Sequence, residues 1–179
     1  MMEISEKKQR EILEIIRRCG SVILSAHDIE TRSDAISVKP GAANFVTEYD
    51  LKVQQTLIEA LSALFPGANF FAEEKENSAA SFQNAFCFVI DPIDGTTNFI
   101  HDMKCSAVSV ALYYDGEPVF GAVYDPYLDE MFHATAGGGA YLNDVRIDSA
   151  DRNIMKSEIP AGGAILKAGK KNIKRIVAQ

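Results

Sequence analysis

The stretch Ala85-Phe86-Cys87-Phe88-Val89-Ile90-Asp91-Pro92-Ile93-Asp94-Gly95-Thr96-Thr97-Asn98 decides how this 179-residue chain is read. Its aromatic and β-branched opening predicts a buried strand over Ala85 to Ile90. The character then changes at once. Two carboxylates, Asp91 and Asp94, flank a proline whose fixed φ stiffens the turn, so both can point into one space at the carboxyl end of the strand. Such a pair attracts a cation. Gly95 permits an unusual backbone angle or a close approach, and Thr96-Thr97-Asn98 can open a helix whose free N–H groups face an anion. Cation and phosphate would then share one pocket.

The donor types select the ion. Hard oxygen ligands without His or Cys favour Mg²⁺ over zinc, and Mg²⁺ takes only a few carboxylates, filling its octahedron with water and substrate phosphate. Just upstream, Asn69-Phe70-Phe71-Ala72 predicts another buried strand ending in Glu73-Glu74, a source of the next carboxylate. Two ions about 3.5–4 Å apart would let one acidify a water while the other holds the leaving oxygen, the logic of phosphate ester hydrolysis. Other acidic motifs fit less well. An EF-hand loop counted from Asp91 needs Gly at its sixth place and Glu at its twelfth, where this chain has Thr96 and Asp102. Phosphatases with an aspartyl nucleophile commonly separate two Asp by one residue, and two separate them here. Asp-Pro and Asp-Gly are also ordinary turn chemistry, so the isolated pieces do not make a site.

Farther upstream, Ile12, Ile15, Ile16, Cys19 and Ile23 recur at helical steps and predict a packing helix between Ser5 and about Ile29. Glu30 to Ala43, ending in Lys39-Pro40-Gly41, reads as a loop or loose hairpin. Thr47-Glu48-Tyr49-Asp50 has the pattern of a helix start, and Val53, Leu57, Ile58, Leu61 and Leu64 carry a second helix to Pro66-Gly67. Downstream, Ser106 to Tyr114 and Val119 to Tyr124 predict a hairpin about Asp115-Gly116-Glu117-Pro118. Glu130 to Thr135 and Gly139 to Ile147 predict another pair around Gly137-Gly138-Gly139, whose glycines fit a bulged hairpin better than a nucleotide loop. Helices first and an antiparallel sheet afterwards imply an α+β layered domain, not a doubly wound one.

Taken whole, Asp91 to Asn98, preceded by Ala72-Glu73-Glu74 and Asn44-Phe45-Val46-Thr47-Glu48-Tyr49-Asp50 and followed by Phe99-Ile100-His101 and the Ser106 to Tyr114 strand, resembles the inositol monophosphatase family. The resemblance runs from the first helix to about Ile147. It implies a layered helix and antiparallel-sheet sugar-phosphatase-like domain, the N-terminal half of an αβαβα sandwich. It also implies a Mg²⁺-dependent phosphomonoesterase that hydrolyses inositol monophosphate or a related sugar phosphate through an activated water. Position by position, Glu73 and Asp91 would bind Mg²⁺ together with the main-chain carbonyl of Ile93. Asp94 would bind a second ion and face the substrate phosphate, which Gly95 and Thr96 would hold through main-chain N–H groups. The Thr96 hydroxyl, with Glu73, would orient the attacking water; Asp50 matches the acid linked to a third, weaker ion, and Lys39 lies where a basic residue stands near the phosphate. Plainer roles compete: Asp50 as a helix cap, Glu74 as a surface acid, His101 and His133 as structural histidines.

Members of that family are longer and carry, in their second half, a Trp-Asp motif whose Asp completes the second metal site. This sequence has no Trp. The resemblance therefore implies a chain abbreviated before that half, with weak or undetectable phosphatase activity on its own and with uncovered apolar sheet surface that favours self-association or poor solubility. The Lys-Glu of nucleotide 3'-phosphatases is absent, since Thr97-Asn98 stands there, whereas fructose 1,6-bisphosphatase activity stays open. A different class of reading is a non-catalytic truncated paralogue that binds Mg²⁺ or phosphate, or pairs with a full-length subunit.

Composition bounds these readings. Residues 1–150 hold 11 Lys+Arg against 23 Asp+Glu, whereas residues 151–179 hold seven against two. We therefore expect 1–150 to be the metal- and phosphate-binding domain and 151–179 a basic tail or the start of a truncated second half. Within it, Ala164 to Gln179 reads as a solvated helix or frayed end, although Ile173 to Ile176 resembles a strand entry. The net charge of -7 argues against a nucleic-acid partner, which Lys and Arg would have to hold. No apolar run approaches the roughly 20 residues that cross a bilayer. The N-terminus is charged and amphipathic rather than a signal peptide, and Cys19, Cys87 and Cys105 form no CxxC pair, so a cytoplasmic protein with free thiols is expected. The expected partners are a small-molecule phosphate monoester and a second copy of the chain, since the family is usually dimeric.

Overall fold

The computed structural model describes residues 4–26, 36–38, 45–73, 82–148, 164–168 and 172–176. Lys39 and Glu74 lie outside them. Two units form, Met1–Ile147 and Asp148–Gln179.

The first unit begins with α1, Glu6–Leu24. Ser5 starts it, its hydroxyl accepting from the Lys8 amide at 3.4 Å, with Glu6 in the positive first turn. The predicted stripe is the buried face: Ile12, Ile15, Ile16, Cys19 and Ile23. A short hairpin follows, β1 (Ile36–Val38) against β2 (Phe45–Thr47), and leads directly into α2, Glu48–Leu64. The Thr47-x-x-Asp50 capping box is present. Val53, Leu57 and Leu61 are fully buried, as an amphipathic helix of this period requires.

Seven strands make one sheet in the order β3 (Asn69–Ala72), β4 (Phe86–Asp94), β5 (Ala107–Tyr114), β6 (Glu117–Asp125), β7 (Glu130–Thr135), β8 (Gly139–Leu142) and β9 (Val145–Ile147). The antiparallel expectation needs one correction: β3 and β4 run parallel, and the sheet is mixed. β3 is buried at alternate residues, whereas neighbouring Cys87 and Phe88 of β4 are both buried, and side-chain period gives a strand's faces but not its direction. The expected single strand over Gly139 to Ile147 is divided by a tight turn at Asn143, whose φ is +52° and whose side-chain oxygen accepts from the Met131 amide at 2.9 Å.

Alternation sorts the faces. Val108, Val110 and Leu112 of β5, Phe120, Ala122 and Tyr124 of β6 and Met131 of β7 join the buried stripes of α1 and α2 in one core. Ser109, Ala111, Gly121, Val123, Phe132 and Ala134 face the other way and line an open apolar hollow of about 370 Å³. Among the described residues no helix is long and apolar enough to cross a membrane.

In the second unit, Ala164–Ala168 (β10) and Asn172–Ile176 (β11) pair antiparallel. The helical alternative is thus corrected for Ala164–Ala168 and Asn172–Ile176: Ile165 pairs with Arg175 and Lys167 with Ile173, a pairing between two segments that neither run shows alone.

Candidate active site

The parallel pairing places two acids side by side. Ala72 pairs with Ile90 and the Glu73 amide donates to the Ile90 carbonyl at 3.1 Å, so Glu73 and Asp91 leave the carboxyl ends of adjacent strands together. The Glu73 carboxyl acts on Asp91 closely enough to raise its pKa. Asp91 and Asp94, three apart, would face opposite ways on a regular strand. Here Asp91 pairs with Ser109 and Asp94 with Ala107, so β4 uses one residue more than β5 across the same interval. That bulge turns both carboxylates to one face. Pro92, which has no N–H to give the ladder, sits in it, and the buried Ile93 side chain anchors it in the core.

Gly95 closes the turn with φ +89°, and Thr96–Ile100 form the short helix α3. Phe99 and Ile100 are buried, and the Phe99 ring meets Tyr49 of α2 edge-on with centroids 5.6 Å apart. This seats Thr96 against the start of α2: its hydroxyl lies 3.2 Å from Asp50 Oδ1 and 3.0 Å from the Ile93 carbonyl. The other oxygen of Asp50, Oδ2, accepts from the Thr47 amide at 2.7 Å and from the Thr47 hydroxyl. Asp50 therefore caps α2 and reaches the site with the same carboxylate. Burial is the main cause that raises its pKa, opposed by those donated hydrogen bonds.

Asp91 is the most perturbed acid. Its pKa is raised to about 7, first by burial, then by the neighbouring Glu73 carboxyl, with Asp94 and Asp50 adding to it. Its Oδ1 is buried with no hydrogen-bond partner, an expensive arrangement unless a cation completes it. Among the described residues no group of three His, Cys, Asp or Glu side chains forms a metal-holding cluster. The strand pairing brings two carboxylates together, Glu73 and Asp91, and the Ile93 carbonyl, which keeps a lone pair beyond the Thr96 bond, follows two residues along the chain. Those are hard oxygen donors, and they fit Mg²⁺.

Residues 3–172 match the model of the inositol monophosphatase family. The chain belongs to that family. It is 32% identical over 154 residues to inositol monophosphatase 2 of Saccharomyces cerevisiae, covering 86% of this chain and 52% of that protein. To the inositol monophosphatase of Dictyostelium discoideum it is 39% identical over 132 residues, covering 73% of this chain and 47% of that one. The fold matches the extragenic suppressor protein suhB of Bartonella henselae with a TM-score of 0.69 at 32% identity, covering 80% of this chain and 55% of that chain. The layered α+β sugar-phosphatase-like fold follows, and the chain spans about half the length of the curated relatives it matches.

Of the residues the inositol monophosphatase resemblance singled out, Glu73, Asp91, Ile93, Asp94, Gly95, Thr96 and Asp50 lie on or beside one strand end and one turn. The Thr96 hydroxyl meets Asp50 and the Ile93 carbonyl. That link spans 46 residues, and no local pattern announces it. His133 is held structurally, with Nε2 2.9 Å from the Asn143 carbonyl and its ring stacked on Tyr141. Asn98 and Ser106, which the sequence reading placed at a helix start and a strand start but gave no part in the site, stand against the turn at Gly95.

Proposed function

We propose that this chain carries the metal- and phosphate-binding half of a Mg²⁺-dependent phosphomonoesterase for inositol monophosphate or a related sugar phosphate. The observation that carries the reading is the buried, unpartnered Asp91 Oδ1 beside Glu73 at the ends of two parallel strands. Glu73, Asp91 and the Ile93 carbonyl would hold one ion, and Asp94 a second. Bound there, Mg²⁺ supplies Lewis acidity toward water and phosphate oxygens.

The remaining work falls to the chain's own groups. The single Thr96 hydroxyl hydrogen has two acceptors in reach, Asp50 Oδ1 and the Ile93 carbonyl; given to Asp50, it leaves the hydroxyl's lone pairs to accept from a water and turn that water's free pair toward phosphorus. Asp50, with its pKa raised, is suited to take the proton that Thr96 passes on. The first N–H groups of α3 have no partners within the helix and are available to phosphate oxygens at Gly95 and Thr96. Lys39 would add a positive charge on the phosphate side. The exposed Val123, Phe132 and Ile147 support self-association or a homodimer.

A second reading is that the chain binds Mg²⁺ and phosphate without turnover. One experiment tests both. Calorimetric titration of Mg²⁺ with inorganic phosphate should give saturable heat with the wild-type chain and none with Asp91→Asn, while phosphate release from inositol 1-phosphate, alone and with a polypeptide matching the relatives' other half, separates catalysis from binding. Equal heats for wild type and variant would end the proposal.

A further inference from the structure

We infer that Asn98 is a positioning residue: its carboxamide fastens the loop after α3 behind Gly95 and so fixes the left-handed turn that aims Thr96 at Asp50. The inference rests on the reading of Thr96 as the residue that orients water. Gly95 is pressed against that loop. A Cβ added there would lie 3.1 Å from the Cys105 carbonyl oxygen and 3.3 Å from Asn98 Nδ2. The loop itself has two non-glycine residues in the left-handed region, Asp102 at φ +51° and Lys104 at φ +50°, so it keeps this shape only while other contacts hold it.

Asn98 supplies two of those contacts. Its main-chain carbonyl accepts from the Met103 amide at 2.9 Å, and its Nδ2 donates to the Cys105 carbonyl at 2.9 Å. The far end is anchored at Ser106, a buried residue whose Oγ lies 3.3 Å from the Tyr127 hydroxyl. The contacts thus run from the Asn98 amide through the Cys105 carbonyl to Gly95, and from Gly95 along the chain to Thr96 and Asp50. Without the Nδ2 donor the Cys105 carbonyl loses its partner and the loop relaxes away. Glycine, which has the widest backbone freedom, then no longer holds one φ, and the Thr96 hydroxyl loses its aim. An aspartate in place of Asn98 would put a carboxylate oxygen against a carbonyl oxygen, and an alanine would put nothing there.

The test uses isotope-labelled wild-type chain, Asn98→Asp, Asn98→Ala, Gly95→Ala and the Asn98→Ala/Gly95→Ala double variant. Two readouts are taken: the backbone resonances of Asp50, Gly95 and Thr96, and the affinity for inorganic phosphate in the presence of Mg²⁺. We expect both Asn98 variants to move those three resonances while β6 and β7 signals stay in place, and to weaken phosphate binding about tenfold. Gly95→Ala should do the same, with the double variant no worse than the weaker single one, because both act through one turn. Unmoved Gly95 and Thr96 signals, additive losses, or collapse of the whole spectrum in both Asn98 variants would each overturn the inference, the last by making Asn98 a residue of general stability. If wild-type chain binds no phosphate, the proposed function fails instead, and the resonance shifts still decide the role of Asn98.

Discussion

Asp91 buries a carboxylate oxygen that the fold leaves without a hydrogen-bond partner. Its folded-state pKa of about 7 stands above the ordinary 3.8, so the folded chain holds that proton more tightly than the unfolded chain does. The stability this contributes is fully present below about pH 4 and is lost as pH rises through about 7. In Mg²⁺-free buffer, Asp91→Asn removes this titration, so its urea midpoint should gain on wild type between pH 5 and pH 8. A gap that does not change with pH would show that Asp91 is not protonated in the fold. Thr96 answers a different question. Thr96→Ala removes the hydroxyl that donates to buried Asp50 Oδ1, and an unpaired buried carboxylate oxygen costs about 1–3 kcal/mol. Thr96→Ser restores the donor and should recover most of that loss in thermal melts, whereas equal melting for Ala and Ser would sever Thr96 from Asp50.

At the level of elements, α1 docks through a glycine. A Cβ on Gly20 would lie 2.4 Å from Tyr124 Cε1 and 3.0 Å from Pro126 Cβ. The Tyr124 ring cannot easily yield, because its hydroxyl donates to Asp129 at 2.9 Å and Arg17 lies over its face. In a helix interior Gly→Ala ordinarily gains about 1 kcal/mol, but overpacking costs about 1–3 kcal/mol. Here the second effect wins, so Gly20→Ala should lower the melting midpoint; a rise would mean the helix shifts freely on the sheet. The elements also show what sequence could tell. Helical period located α1 and α2, and Thr47 to Asp50 announced the cap that is observed. The Asp91-Pro92-Ile93-Asp94 string announced a carboxylate pair, but the bulge that aligns it depends on register with β5, which no single strand encodes. The parallel direction of β3 and the reach of Thr96 to Asp50 were illegible for the same reason: they arise from pairing between distant segments.

On the scale of the whole molecule the two sheet faces are unequal. One is covered by α1 and α2, while the other leaves Val123 41%, Phe132 42% and Ile147 42% exposed around the apolar hollow. Among the described residues no Asp, Glu, Lys or Arg lines that hollow, so a second copy can cover that lining without desolvating one of these charges. The net charge of -7 opposes association through long-range repulsion, which about 0.5 M salt screens to within a few ångströms. Apolar contact is not weakened by that screening. Sedimentation velocity should therefore show a dimer population that grows with protein concentration and grows further in high salt. Phe132→Glu, which places a charge at the centre of the face, should return the chain to monomer while leaving the Mg²⁺ binding proposed for Glu73 and Asp91 unchanged. A wild-type chain that stays monomeric across concentration and salt would mean this face does not drive assembly by itself, and the homodimer reading would have to rest on another surface.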